Sequence, residues 1–322
     1  MRKRIVVSEA MPGPGMELLK SRTDLETLVL SSPCETQLAA MIPSAHAVII
    51  VAEAPFLGAT TIVASPLLVV AARMGAGTDN FDIRALTARR IPLLTTGAAN
   101  AGTVAEHALY LMLALAKRGP ARDRAVKLGH WPRGFGAVEL AGATCLVVGM
   151  GRIGREIVRR AKAFDMRVLG YDPQLTTSQA AATGLSLVQT LPEGLGQADI
   201  VVIACALTAE TRGLFGTEAL AAMRPTALLV NVSRGAVVDE VALAAALSAG
   251  RLAGAGLDVM ATEPPVSSNP LLARDDVVLS PHTASHVATT YERMSLVCAR
   301  QVIDALDGRI DPTSVVNPEV LV

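Results

Sequence analysis

The sequence predicts an α/β fold with parallel sheets, divided between two domains. Short apolar segments typical of strands, such as 25–30 and 47–51, alternate with helical segments along the chain. This alternation is typical of parallel strands joined by crossover helices. At 322 residues the chain exceeds the size of one compact core. Its hydrophobic content of 51% is enough to fill two cores.

Local periodicity and the positions of glycine and proline predict the individual elements. Strands are expected at 4–8, 25–30, 47–51, 67–72, 93–96, 145–148, 166–171, 199–204, 227–232, 253–257 and 277–279, and helices include 15–20, 35–41, 100–117, 239–250 and 285–306. The helix at 100–117 is apolar almost all round, and Thr103 with Glu106 forms a capping box at its start. We expect this helix to be buried between domains or subunits and to mark the domain boundary. The following loop at 131–134 could pack on a neighbouring subunit.

Charge and cysteine content exclude several kinds of partner. The chain has 29 basic and 29 acidic residues, a balance that argues against nucleic acid or an anionic membrane. The start, MRKRIVVSEAMPGPG, lacks the apolar region of a signal peptide, and no apolar run is long enough to span a bilayer, so we expect a cytoplasmic protein. The cysteines form no C-x-x-C pair and the histidines are scattered, which favours reduced thiols over disulfides and predicts no metal site.

The most informative stretch is ATCLVVGMGRIGREIVRRAKAFDMRVLGYDP, residues 143–173. It predicts a strand, a glycine turn, a helix, a second strand and a final acid. Gly149 permits a tight turn, Gly151 lets the backbone approach a pyrophosphate, and Gly154 lets the helix pack close to the strand. The N-terminus of the helix offers free N–H groups and partial positive charge to the phosphates.

Asp172 lies 18 residues after Gly154, where a carboxylate can accept hydrogen bonds from the hydroxyls of an adenine ribose. The same carboxylate would repel a 2′-phosphate, which favours NAD over NADP. A G-x-G-x-x-G pattern alone also occurs in ordinary glycine-rich turns of α/β proteins. Here the strand before it, the helix after it and the final acid agree, and together they predict a dinucleotide site.

A second glycine loop, Gly75-Ala76-Gly77, follows a predicted buried strand and admits two interpretations. Because these residues carry no bulk, their backbone N–H groups could face a small anion. Alternatively, the loop is only a strand-to-helix connection in which Asp79 or Asn80 caps the helix. The residues alone do not separate the two.

Several polar residues follow strands of the second half of the chain. Ligands bind at the carboxyl ends of the strands in an open parallel sheet. The sequence therefore predicts an active site built from the residues at these ends: Asp172, Ser233, Arg234, Asp258, Glu263 and His282.

These residue types fit hydride transfer between an alcohol and a nicotinamide. His282 has a suitable intrinsic pKa to accept the hydroxyl proton, and Glu263 would orient the imidazole and raise its pKa. The forked guanidinium of Arg234 can hold a substrate carboxylate and polarise the adjacent carbonyl. Asp258 could accept a hydrogen bond from the nicotinamide carboxamide. Each residue taken singly could be structural, but their joint occurrence beside a dinucleotide motif favours catalysis.

The sequence resembles the D-isomer-specific 2-hydroxyacid dehydrogenase family over essentially its whole length. The resemblance lies in ARMGAGTDNFD, TVAEHAL, ELAGATCLVVGMGRIGREI, NVSRGAVVDE, AGLDVMATEPP and LSPHTAS, which occur in that order. It implies a doubly wound NAD-binding domain, 100–285, inserted into a smaller flavodoxin-like substrate domain formed by 1–99 and 286–322. It also implies a homodimer.

The resemblance further implies a role for each matching residue. Arg234, Glu263 and His282 match the catalytic trio. Cofactor contacts are implied at Thr103, Gly149, Gly151, Arg152, Ile153, Gly154, Asp172, Cys205, Val232, Ser233, Asp258, Thr283, Ala284 and Ser285, and substrate contacts at Ala76, Gly77, Asn100 and Arg234. One departure is Ala204-Cys205-Ala206, where the family often has a histidine and a proline.

Within the family the likeness is greatest to D-3-phosphoglycerate dehydrogenases. Those enzymes tend to carry a basic residue where this chain has Ala52 followed by Glu53, so a substrate phosphate would find no cation there. The chain also ends at Val322, without room for the regulatory domain that many of them append. We therefore expect an NAD-dependent enzyme for a small unphosphorylated acid such as glyoxylate or hydroxypyruvate. The alternatives are D-3-phosphoglycerate dehydrogenase and, in another class, an NAD-sensing binding protein without significant catalysis.

Overall fold

The computed structural model describes residues 2–134, 136–176 and 185–322. Two compact units divide the chain: Met1–Asn100 with His286–Val322 form the first, and Ala101–Ser285 form the second. Each unit contains its own parallel sheet, so the predicted α/β fold class is confirmed.

The first unit is built around five parallel strands, in the order β2-β1-β3-β4-β5 of a flavodoxin-like sheet. Its elements are β1 (Lys3–Val7), α1 (Pro14–Ser21), β2 (Leu25–Val29), α2 (Glu35–Met41), β3 (Ala47–Ile50), α3 (Ala59–Val63), β4 (Val70–Arg73), α4 (Ile83–Ala88) and β5 (Leu93–Thr95), with the last long helix, Ala288–Leu306, added from the chain end. The strand predicted at 67–72 begins later, because Leu68 N donates to Ser65 O in the turn after α3.

Helices cover both faces of this sheet because successive strand residues point to opposite sides. In β1, Ile5 and Val7 pack toward α1 and the helix Ala288–Leu306, whereas Val6 packs toward α2, α3 and α4. All three of these β1 side chains are fully buried, which fixes the register of the central strands.

The second unit is built around seven parallel strands, in the order β12-β11-β10-β9-β6-β7-β8. Its elements, with the helix that leads into it, are α5 (Gly97–Ala116), α6 (Gly119–Lys127), β6 (Thr144–Val148), α7 (Arg152–Ala163), β7 (Arg167–Tyr171), β8 (Ser186–Leu187), α8 (Leu191–Gln197), β9 (Ile200–Ile203), α9 (Thr217–Ala222), β10 (Leu228–Asn231), α10 (Glu240–Ser248), β11 (Gly254–Leu257) and β12 (Val277–Leu279). The helix Ala288–Leu306 is therefore α11. The chain reverses direction across the sheet between β6 and β9, the switch point at which doubly wound sheets bind ligands.

Two hydrophobic layers hold this second sheet. Cys145 and Val147 of β6 pack toward α5 and α7, and Leu146 and Val148 pack toward α8, α9 and α10. The helix α5 is apolar because its inner face lies on this sheet, but its outer face is open, since Tyr110 is 50% exposed. Burial of this outer face against a partner subunit, one of the two expected kinds of burial, stays a prediction.

The capping box predicted at Thr103 and Glu106 is also wrong. The helix α5 begins at Gly97, so Thr103 lies within the helix and cannot cap its start. The first turn forms earlier because Ala99 N donates to Thr96 O. Among the helices that the structure describes, none combines the length and the apolar character needed to cross a bilayer.

Candidate active site

The glycine turn after β6 is shaped by close packing at two of its three glycines. Gly149 has φ +94°, and a Cβ there would lie 2.5 Å from the backbone of Cys205. A Cβ at Gly154 would lie 2.0 Å from Gly149 O. A Cβ at Gly151 would instead meet nothing within 4 Å. The first and third glycines are thus required by the protein itself, whereas the second borders open space in which a ligand can lie.

The start of α7 and the carboxylate of Asp172 meet at this turn. Asp172 Oδ2 accepts a hydrogen bond from Met150 N at 2.9 Å, and Asp172 Oδ1 accepts one from Gln174 N at 2.9 Å. Each oxygen keeps a further lone pair for a ribose hydroxyl. Because the first N–H groups of a helix have no partner within it, α7 offers donors to a pyrophosphate beside Gly151. The donor set and the open space fit a dinucleotide.

Three other predicted cofactor residues lie around this turn. Arg152 is exposed at the first position of α7, and Ile153 is half-buried against the core. Cys205 lies against Gly149, and burial raises the pKa of its thiol to about 11, so it is protonated at neutral pH. Cys205 is therefore a packing residue at the turn rather than a thiolate nucleophile.

His282 and Glu263 form a hydrogen-bonded pair, with 2.8 Å between His282 Nδ1 and Glu263 Oε2. Their side chains are 28% and 35% exposed. A carboxylate only accepts, so Nδ1 carries the proton in this bond. The other ring nitrogen, Nε2, is then the position that can accept or donate a proton toward a substrate.

The carboxylate of Glu263 is kept charged by its surroundings. Burial by itself raises the pKa of Glu263, but the hydrogen bonds from His282 and from Met260 N, with the positive charges of His282 and Arg234, lower it further than burial raises it. Met260 N lies 2.9 Å from Glu263 Oε1. Glu263 is thus held by the protein backbone on one oxygen and holds the imidazole with the other.

Arg234 lies close enough to Glu263 for its charge to act on that carboxylate. Its position is fixed by the turn after β10, where Asn231 Nδ2 donates to Arg234 O at 3.0 Å. A Cβ at the next residue, Gly235, would lie 1.9 Å from the backbone of Met260, so this turn packs directly on the loop that leads to Glu263. The structure therefore brings together the three side chains that the sequence predicted as catalytic.

Asp258 is 1% exposed, and the structure turns its carboxylate toward the loop that carries His282. It accepts hydrogen bonds from Ser280 Oγ, Thr283 N and Ala284 N at 2.6 to 3.0 Å. Burial by itself raises the pKa of Asp258, but the hydrogen bonds from His107, Ser280 and the loop amides lower it overall. Val232 and Ser233, which directly follow β10, are also buried, and Ser285 is the last residue of the second unit.

The second glycine loop belongs to the first unit. Thr96 N donates to Gly75 O at 3.1 Å, and Arg73 Nε donates to Gly77 O at 3.2 Å. In a trans peptide the N–H points away from the C=O. The N–H groups of Ala76 and Thr78 therefore point away from those donors, as an anion-binding loop requires.

Neither Asp79 nor Asn80 caps the helix that follows this loop. Asp82 does, with its side chain accepting from Ala85 N at 3.0 Å. Asn100 is 6% exposed, and its Oδ1 is buried without a hydrogen-bond partner among the described residues. A buried acceptor of this kind is a candidate ligand contact. The substrate contact that the family resemblance implies at Asn100 stays a prediction.

A basic side chain lies beneath the same loop. Arg73 is only 5% exposed and donates to Val51 O and, at 2.6 Å, to Glu53 Oε1. Glu53 is 49% exposed. The guanidinium thus ties the end of β3 to the glycine loop, and its charge is countered by a carboxylate.

The chain is similar to known proteins over almost its whole length. Residues 109–284 match the family model described as D-isomer specific 2-hydroxyacid dehydrogenase, NAD binding domain. The chain is 35% identical over its whole length to a glyoxylate reductase of Korarchaeum cryptofilum and covers 98% of that protein. The chain belongs to the D-isomer specific 2-hydroxyacid dehydrogenase family. The residues that match the NAD-binding-domain model, 109–284, lie within the second unit, and NAD is the cofactor.

Other members of this family are similar over different extents. A D-3-phosphoglycerate dehydrogenase of Archaeoglobus fulgidus is 35% identical over 95% of the chain, which spans only 58% of that protein. The chain spans about half the length of the curated phosphoglycerate dehydrogenases that it matches, from 48% to 58%. A crystal structure of a glyoxylate reductase from Paecilomyes thermophila has a TM-score of 0.88 at 27% identity, with 98% of each chain covered.

Two residues beside the site, His107 and Ser280, were not predicted from the sequence. His107 Nε2 lies 2.7 Å from Ser280 Oγ and 3.3 Å from Asp258 Oδ1. Both residues occur in motifs that identify the family, TVAEHAL and LSPHTAS. The available signal was a lone histidine on an otherwise apolar helix, because a buried histidine needs a polar partner.

The described residues contain no group of three or more His, Cys, Asp or Glu placed to hold a metal.

Proposed function

We propose that this protein is an NAD-dependent dehydrogenase that interconverts a small D-2-hydroxy acid and its 2-oxoacid. The observation that carries this proposal is the His282–Glu263 hydrogen bond beside Arg234 at the carboxyl ends of β10, β11 and β12. A base, a carboxylate that orients it and a forked cation are the groups that this reaction needs.

Each of the three side chains has a separate task in this proposal. His282 Nε2 accepts the proton of the substrate hydroxyl, or returns it in the reverse direction. Glu263 fixes the orientation of the imidazole and stabilises its charged form. Arg234 holds the substrate carboxylate and polarises the carbonyl next to it. The bound nicotinamide supplies the hydride chemistry.

The cofactor would be held by residues on both sides of the switch point. The amides at the start of α7 face the pyrophosphate, and Asp172 accepts from the adenine ribose, which excludes a 2′-phosphate. Further proposed cofactor residues, all in the second unit, are Thr103, Gly149, Gly151, Arg152, Ile153, Gly154, Cys205, Val232, Ser233, Asp258, Thr283, Ala284 and Ser285. The first unit is the proposed substrate domain, where Ala76, Gly77 and Asn100 would bind the acid.

An unphosphorylated substrate is favoured by the charges in the first unit. Arg73 is the buried cation beside the glycine loop, and Glu53 counters its charge. A dianionic phosphate near this pair would meet the half-exposed carboxylate of Glu53 and be repelled. The glyoxylate reductase of similar length supports the same choice. D-3-phosphoglycerate dehydrogenase is the alternative, supported by the 35% identity to the longer enzyme.

A panel of 2-oxoacids with NADH tests both the activity and the substrate class. We expect glyoxylate or hydroxypyruvate to be reduced with a higher kcat/KM than 3-phosphohydroxypyruvate. A higher kcat/KM for the phosphorylated acid would favour the alternative enzyme. NADH binding without turnover of any acid would instead make the protein an NAD-sensing binding protein.

We propose a homodimer as the working form. Every described residue of the segment 128–139, which follows α6, is exposed, and Leu128 and Trp131 in this segment are 69% and 73% exposed. Large exposed apolar side chains that lie close together in the chain are typical of a surface covered by a partner. Sedimentation equilibrium should give twice the monomer mass, and Trp131→Asp should shift the measured mass toward that of the monomer.

A cytoplasmic location is also part of the proposed function and agrees with the four free cysteines.

A further inference from the structure

The loop that presents His282 has an unusual backbone. His282 has φ +53°, in the left-handed region that non-glycine residues rarely occupy. Such a conformation costs free energy and persists only where surrounding contacts impose it. Some part of the second unit therefore has to hold this loop.

Asp258 supplies those contacts. His282 N donates to Asp258 O at 2.7 Å, Thr283 N donates to Oδ1 at 2.9 Å, and Ala284 N donates to Oδ2 at 3.0 Å. Three successive amides of the loop thus end on one residue. Because Asp258 follows β11 directly and is fully buried, it forms a rigid anchor for the loop.

The anchor is itself held from α5 by way of Ser280. Ser280 Oγ donates its only proton to Asp258 Oδ1 at 2.6 Å. The same oxygen lies 2.7 Å from His107 Nε2, so it has to accept there, and Nε2 carries a proton. The result is a directed chain of donors from His107 through Ser280 to Asp258.

We infer that His107, Ser280 and Asp258 are positioning residues that hold the His282 loop in its left-handed form and so aim the imidazole at Glu263. The inference rests on the proposed function, in which His282 transfers the proton. Asp258 was expected to contact the nicotinamide carboxamide. Since the loop occupies most of the acceptor positions of its carboxylate, we assign Asp258 the additional role of holding the loop. The hydrogen bonds from His107 through Ser280 to Asp258 also explain why the otherwise apolar helix α5 carries His107.

The test compares Ser280→Ala and His107→Phe with Ser280→Thr, which keeps the hydroxyl. We expect kcat of the first two to fall about 10- to 100-fold, because small misplacements of a catalytic group have effects of this size. The dissociation constant of NADH should stay within about twofold of wild type, and Ser280→Thr should recover most of the turnover. His46→Phe is the matched control, since His46 is a partly buried histidine of the first unit that accepts from Arg4 N; its turnover should not change.

A second readout does not depend on turnover. The NMR titration of His282, assigned by its absence in His282→Ala, should move to lower pH in Ser280→Ala, because the imidazole leaves the Glu263 carboxylate. An unchanged midpoint and unchanged kcat in folded Ser280→Ala would overturn the inference. If the affinity for NADH fell by the same factor as kcat, the three residues would serve cofactor binding instead. If wild type reduces no 2-oxoacid, the proposed function fails, and the titration still decides whether the loop is held in this way.

Discussion

Two alanine substitutions in the same glycine turn should have opposite consequences. Gly151 has φ −67° and open space around its missing Cβ, so Gly151→Ala should fold normally. The added methyl group would occupy the space in which a pyrophosphate approaches the backbone. Gly154→Ala would place a methyl group 2.0 Å from Gly149 O, which belongs to the backbone and cannot swing aside.

The sizes of both effects follow from these contacts. Loss of one hydrogen bond between a backbone N–H and a phosphate costs about 1.5–3 kcal/mol. The dissociation constant of NADH for Gly151→Ala should therefore rise about 10- to 150-fold. Overpacking typically costs about 1–3 kcal/mol, and the rigid contact at Gly154 places that variant near the upper end. In a domain of this size that corresponds to a Tm lower by about 6–12 °C.

Fluorescence titration with NADH and thermal unfolding of the free protein measure the two quantities separately. Gly151→Ala should lose affinity at an unchanged Tm, and Gly154→Ala should lose Tm. If Gly151→Ala bound NADH as tightly as wild type, the placement of the pyrophosphate at this turn would be refuted. A Gly154→Ala variant with the wild-type Tm would refute the close packing of α7 on the turn.

Three further predictions concern charged side chains. Asp172→Ala should weaken NAD binding and reduce the preference for NAD over NADP, as measured by the ratio of their dissociation constants. Since Glu263 has a lowered pKa in the folded state, its stabilising contact with His282 is present above the unfolded pKa of about 4.3 and is lost as pH falls through the folded pKa. The Tm difference between wild type and Glu263→Gln should therefore shrink below about pH 4. This difference reflects at most about 1 kcal/mol, because the His282–Glu263 pair is partly exposed. Arg73→Leu should lower the free energy of unfolding by about 2–4 kcal/mol in a denaturant titration, because buried carbonyls lose their donor, whereas Glu53→Gln should change it by less than about 1 kcal/mol.

Local patterns predicted much of the fold and of the site. The strand before Gly149 and the helix after it come from hydrophobic spacing within about a dozen residues, and the structure keeps both. The catalytic candidates Arg234, Glu263 and His282 were found because the carboxyl ends of parallel strands share one edge of the sheet. Their mutual contacts follow from strand order, which the structure supplies.

Helix starts were predicted less well, because long-range contacts select them. Asp79, Asn80 and Asp82 are all residue types that cap helices, and the sequence does not rank them. Asp82 is the cap because Leu57 N donates to Asn80 O and Asp82 N donates to Leu57 O. These bonds hold Phe81 in a bridge with Leu57, so the helix begins only after Asp82. Similarly, the glycine- and alanine-rich start of α5 has little side-chain signal, so Thr103 was mistaken for its cap. The hydrogen bonds that link His107 to Asp258 join residues that are 151 positions apart in the sequence, so no local pattern predicts them.

In the proposed reaction, the NAD-dependent reduction of a 2-oxoacid, His282 transfers the substrate proton. The most direct measurement is the turnover of glyoxylate or hydroxypyruvate by wild type and by His282→Ala, with NADH affinity measured in parallel. His282→Ala should lose about 10²- to 10⁴-fold in kcat, the usual contribution of a general acid or base, and should bind NADH as wild type does. Turnover by His282→Ala at the wild-type rate would contradict proton transfer by His282.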